Sequence, residues 1–234
     1  MLRRRRREGE DQPVPSVHGD ENGLAGQESS GPWDIAEDYP QLERFDLGSL
    51  LIPIREQFDV QVSDVDELGA WAAVVSGESG MQLQAFAAPR TGGLWDEVRL
   101  EIAENVAGSG GSCEESEGPF GIELHAQVPI GQEGQPEPQL QPVRFIGYDG
   151  ARWFLRGVIS GPAATDRALG APFDELFADI VVVRGDYPAP QRQLLEIRLP
   201  EDAQRALEAQ LAEEDPDWAM PDPFARGPEI TETR

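Results

Sequence analysis

Large apolar residues alternate with polar ones in several stretches of this chain and recur at steps of three and four in others. Phe58, Val60 and Val62 alternate with polar or acidic neighbours, and in WAAVVSGESGMQLQAFAAP the residues Met81, Leu83, Ala85 and Ala87 alternate with Gln82 and Gln84 beyond a Gly-Ser turn. A period of two is the pattern of a strand with one buried face, so the first segment predicts a strand and the second a hairpin. In GGLWDEVRLEIAENVAGSGG the set Leu94, Trp95, Val98, Ile102 and Val106 has helical spacing, Asp96 and Glu97 suit the positive amino end, and Gly108 supplies a stop. IELHAQVPI alternates as a strand and GQEGQPEPQLQ reads as a polar loop. PVRFIGYDGARWFLRGVIS reads as two strands around Asp149-Gly150, a dipeptide suited to a two-residue hairpin turn. Such a turn sets Tyr148 opposite Ala151, Ile146 opposite Trp153 and Phe145 opposite Phe154. A second helix is expected over Pro172 to Arg184 with Phe173, Leu176, Phe177 and Ile180 as its buried stripe, although the valines at 181 to 183 suit an extended chain equally. LLEIRLP is a last strand, and PEDAQRALEAQLAEE a closing helix with Ala203, Leu207 and Leu211 at steps of four.

Hairpin followed by helix therefore occurs twice, in Trp71 to Val106 and in Val143 to Arg184. The fold class this implies is α+β: one two-layer domain over residues 41–212, mainly antiparallel sheet with the helices packed on one face. Residues 1–40 and 213–234 are rich in Gly, Pro, Ser and acids and poor in large apolar groups, so both ends are expected to be disordered tails, the first carrying the run Arg3 to Arg7. That run suits an acidic partner, anionic lipid or RNA, but Glu8, Glu10 and Asp11 partly neutralise it.

Charge narrows the partners. The formal net charge is -25, and all 19 basic residues are arginine. A body so acidic repels polyphosphate, which makes nucleic acid an unlikely partner, and the absence of lysine excludes a Schiff-base lysine, a Walker-type lysine and a lysine general base. One cysteine, Cys113, excludes an internal disulfide and a thiolate zinc site, and no apolar run is long enough to span a bilayer. A cytoplasmic protein is expected.

Most chemistry is excluded residue by residue. His18 lies in the amino-terminal tail, and His125, in a strand with no partner carboxylate signalled nearby, reads as a structural or surface imidazole. No G-x-S-x-G elbow is present, AGSGGSC follows a helix rather than opening one and reads as a turn, and the acids beside Cys113 are expected to raise its pKa. Asp64, Asp66 and Glu67 could hold a hard cation but read as a solvated acidic turn. No catalytic residue, cofactor or metal site is expected. What survives is ARWFLRG: strand alternation puts Arg152, Phe154 and Arg156 on one sheet face, with Phe145 beside them and Trp153, Leu155 and Ile159 beneath. That face suits stacking or clamping of an anionic group; its other reading is a second core layer with arginines paired to cross-strand acids.

The segments GPWD, LQAFAAPR, GLWDEVRLEI, VRFIGYDGARWFLRGVISG, LFADIVVVRGDYPAP and RGPEITETR together resemble the actinobacterial family known as domain of unknown function 3710, from about Gly31 to the carboxyl end. The resemblance implies no activity, cofactor or site residue. The functional expectation is a non-catalytic binding or adaptor module using Arg152, Phe154, Arg156 and Phe145, its partner another protein, with a small anion possible. The alternatives are an enzyme of unrecognised type or a regulator acting on a nucleotide or other small anion, and, against the net charge, a nucleic-acid binder.

Overall fold

Alternation in the sequence becomes two sheets in the computed structural model, which describes residues 31–63, 70–130 and 139–198. The strands are β1 (Trp33–Asp34), β2 (Arg44–Asp46), β3 (Leu50–Pro53), β4 (Asp59–Val62), β5 (Ala72–Ser76) and β6 (Ser79–Ala87), followed by helix α1 (Leu94–Gly108). Then come β7 (Ser112–Gly118), β8 (Gly121–Ile130), β9 (Gln139–Asp149), β10 (Trp153–Ser160), a 3-10 turn at Pro162–Ala164, helix α2 (Arg167–Ala178) and β11 (Val181–Val182). A seven-stranded antiparallel sheet runs β4-β5-β6-β10-β9-β8-β7, and a smaller sheet runs β1-β11-β3-β2. The α+β class stands.

The predicted core face of β6 is the observed one: Met81, Leu83, Ala85 and Ala87 are all buried, and Trp153, Leu155 and Ile159 of β10 join them. Phe173, Leu176 and Phe177 of α2 pack on that face, together with Ile146 of β9 and with Leu50, Ile52 and Val182 of the small sheet. The other face carries a second cluster in which Leu94 and Trp95 of α1 pack on Phe154, with Phe86, Phe145, Val98 and Ile102 around them. The two helices thus lie on opposite faces of the large sheet, which corrects the one-face arrangement. The reason is parity: on β9, Gly147 lies against the Trp95 ring while its neighbour Ile146 packs with α2, and successive residues of a strand must face opposite ways.

The β9–β10 connection is also corrected. Its loop has three residues, Gly150 to Arg152, with Arg152 in the left-handed region at φ 71, and Leu155 stands opposite Tyr148. The shift is four residues from the two-residue turn, an even number, so the side chains that stay in β9 and β10 keep their expected faces, while Arg152 passes into the turn. The shift frees Asp149, whose carboxylate accepts from the backbone N–H of Gly93, Leu94 and Trp95 at 3.1–3.3 Å. A strand residue thereby caps α1, whose own Gly93 has no side chain to do it.

Two further expectations change. Residues 31–40, assigned to the tail, enter the fold: β1 pairs in parallel with β11, and Asp34 accepts from the Trp153 indole at 2.6 Å. The second helix begins at Arg167, capped by Asp166, and the valines after it are extended as β11. Leu194 and Ile197 of the expected last strand make isolated bridges, one to Phe86 of the large sheet and one to Gly48 beside the small one. The closing helix, the Asp64-Asp66-Glu67 cluster, the Arg3 to Arg7 run and the carboxyl-terminal tail lie outside the described residues. Among the described residues no helix is long and apolar enough to cross a membrane.

Candidate functional site: a buried carboxylate and guanidinium chain under a pocket

On β8, Glu123 and His125 are two residues apart and so share a face; in the ladder His125 stands opposite Arg144 of β9, on the face that α2 covers. Asp174 comes down from α2. These four side chains form one chain: His125 Nε2 lies 2.9 Å from Glu123 Oε1, Arg144 Nη2 donates to Glu123 Oε2 at 2.7 Å, and Arg144 Nη1 lies 3.0 Å from Asp174 Oδ1 and 3.2 Å from Oδ2. Ser116 of β7 adds a long contact to Glu123 at 3.4 Å. Two glycines make the room. A Cβ at Gly118 would collide with the Glu123 carboxylate, and one at Gly170 would come within 2.9 Å of the Ala163 carbonyl and 3.3 Å of Arg144 Nη1.

Above this chain opens a pocket of about 320 Å³, walled by the β7–β8 hairpin, the 3-10 turn and the first turn of α2. The Arg144 side chain is 8 % exposed and Glu123 10 %, whereas His125 is 40 % exposed at the lip. Not every polar atom is satisfied: among the described residues Arg144 Nε has no hydrogen-bond partner, and Asp174 Oδ1, though within ion-pair distance of Arg144, is poorly aligned for a hydrogen bond. Burial pushes the Asp174 carboxyl above the ordinary carboxylate range, and Arg144 only partly offsets this. Burial also pulls Arg144 down, but Glu123 and Asp174 outweigh it and leave the guanidinium above its usual value. The lining brings four carboxylates, Glu117, Glu123, Asp166 and Asp174, against the guanidinium groups of Arg144 and Arg167. Carboxylates therefore outnumber guanidinium groups in the lining by two.

The residues singled out from the sequence lie elsewhere. Phe154 is 1 % exposed, stacked between Phe86 and Trp95 with both centroids at 5.9 Å, and Phe145 packs at the margin of the same cluster. Arg156 shares that face: its guanidinium lies 5.5 Å over the Phe86 ring, its Nη2 donates to Gln84 Oε1, and burial lowers its pKa. Arg152 belongs to the turn and not to the strand. The open Arg-Phe-Arg face is therefore not formed, because α1 covers it and the turn takes its first arginine. The phenylalanines do form a second core layer, but Arg156 is held by an amide and a ring rather than by a cross-strand acid.

Sequence reasoning passed over the pocket. His125 does have a carboxylate partner, Glu123, and the signal was available in the E-L-H alternation of one strand. Arg144 and Asp174 carried no such signal, since the register across residues 131–138 and the approach of α2 are tertiary facts. The Cys113 thiol has its pKa raised, and the cause is burial rather than the acidic neighbours. Among the described residues no group of His, Cys, Asp and Glu is arranged to hold a metal ion.

The family model described as protein of unknown function (DUF3710) matches residues 31–206, stopping short of the RGPEITETR segment. No curated protein and no solved structure matches the chain.

Proposed function

The chain belongs to the DUF3710 family of proteins of unknown function, and from that premise we propose that it is a non-catalytic binding or adaptor module whose specific site is the pocket over Glu123, Arg144 and Asp174. The observation that carries this reading is the buried chain itself. Three charges removed from water on a sheet face that is otherwise apolar contribute little to stability compared with well-packed hydrophobic side chains. Their convergence beneath a cavity, with a half-exposed imidazole at its lip, is the arrangement expected of a recognition site. The excess of carboxylates selects a cationic group, and a partner protein presents one as an arginine or lysine side chain. The adaptor role first attached to Arg152, Phe154, Arg156 and Phe145 moves to this pocket, and with it the sign of the partner's charge changes.

The test is a titration of the full chain with the tripeptides Gly-Arg-Gly, Gly-Lys-Gly and Gly-Glu-Gly, followed by the NMR signals of the His125 ring. The basic peptides shift those signals saturably, the acidic one does not, and Glu123→Gln with Asp174→Asn removes the response. Binding of the acidic peptide alone, or no response to any, contradicts the reading.

A second reading, an enzyme of unrecognised type, has one observation in its favour: the carboxylate of Glu123 holds His125 Nε2 at 2.9 Å, the pairing that orients a general base. On that reading His125→Gln abolishes turnover, while calorimetric titration shows that the variant still binds the basic peptides.

A further inference from the structure

A second cleft, of about 380 Å³, opens on the side of the β9–β10 turn, walled by Ala88 to Arg90 after β6 and by the loop Arg184 to Gln191 after β11. Three arginines line it, Arg90, Arg152 and Arg184, against a single acid, Asp186. Outside the cleft, Arg55, Arg99, Arg144, Arg192 and Arg198 each hold at least one carboxylate within 4 Å, and of the others Arg44 is held by carbonyls and Arg156 by an amide. None of the three arginines of this cleft is in an ion pair among the described residues. The Arg184 guanidinium is spent on carbonyls, those of Arg152 at 3.1 Å, Gly185 at 3.0 Å and Tyr187 at 3.1 Å, which shape the loop without neutralising its charge. The Arg90 and Arg152 side chains have no hydrogen-bond partner among the described residues. Arg152 is moreover held at φ 71, a left-handed backbone that disfavours any residue with a side chain. Tyr187 stands at the lip, 86 % exposed.

We propose that this cleft binds a small organic anion, its phosphate or carboxylate group held by Arg90 and Arg152 within the field of Arg184, and its organic part lying against Tyr187. Three guanidinium groups against one carboxylate leave the lining with an excess of positive charge, and an oxyanion offsets it while accepting charge-assisted hydrogen bonds. The proposal is independent of the first pocket and of the sign of its ligand.

Calorimetric titration of the full chain at low ionic strength with inorganic phosphate, and separately with succinate, tests it and tells the two oxyanion chemistries apart. At least one of them binds saturably, and binding weakens as sodium chloride is added. Arg152→Gly is the decisive variant, because glycine suits φ 71 and keeps the carbonyl that Ala88 N–H and Arg184 use. It loses about tenfold or more in affinity, the size of one charge-assisted contact, while its thermal midpoint is equal to or above that of the parent; Arg90→Gln loses a similar factor. Equal affinity in the parent and Arg152→Gly, or no saturable binding of either anion, overturns the proposal.

Discussion

Arg144 is the residue on which the first pocket depends, since it separates two carboxylates that otherwise face each other in a buried place. Arg144→Met is expected to destabilise the fold by about 3–5 kcal/mol, because it leaves the Glu123 and Asp174 charges unpaired. The triple replacement Glu123→Leu, Arg144→Met, Asp174→Leu is expected to fall within about 1–2 kcal/mol of the parent by urea unfolding, since a packed apolar set replaces the whole chain at once. Asp174 also gives the stability a pH dependence. Its folded pKa is raised by burial, so just above the ordinary carboxylate range the folded state keeps a proton that the unfolded chain has released. Its contribution to stability therefore falls as pH rises through that window, and the parent loses stability relative to Asp174→Asn along the same interval. Urea unfolding of both proteins in steps from pH 4 to pH 7 checks the sign.

At the scale of elements, the sequence foretold alternation and helical spacing well and faces poorly. The β6 and β10 core faces, α1 and the burial of Trp153 followed from periods of two and of three to four, which are local properties. The side on which α1 lies did not, because its apolar stripe would fit either face, and what decides is the approach of Trp95 to Gly147. No strand was expected at β7, because SCEESEG has no large apolar residue to mark a buried face, and an acidic strand at the edge of a sheet is a common guard against edge-to-edge pairing. The cap on α1 tests this corrected geometry. Asp149→Ala is expected to cost about 1–2 kcal/mol and to speed amide exchange first in the opening turn of α1, with no change at α2. Phe154→Ala is expected to cost about 3–5 kcal/mol, as the loss of a core aromatic does; a cost below about 1 kcal/mol would return Phe154 to a surface role.

For the whole molecule, the net charge of -25 was legible at once, but the distribution that gives it meaning was not. Residues from β7, β8, β9 and α2 build a carboxylate-rich pocket, while three loops collect arginines that are in no ion pair among the described residues in a separate cleft, and both depend on contacts between segments far apart in the chain. Self-repulsion at this charge is expected to make the fold salt-sensitive: the thermal midpoint rises between about 20 and 200 mM sodium chloride as screening shortens the range of the repulsion. The central claim is that the pocket over Glu123, Arg144 and Asp174 recognises a cationic group. It is tested most directly by the His125 NMR titration with Gly-Arg-Gly, run on the parent and on the triple Leu-Met-Leu variant after both are shown to be folded. The account predicts a saturable shift in the parent and none in the variant; the same shift in both, or none in the parent, would contradict it.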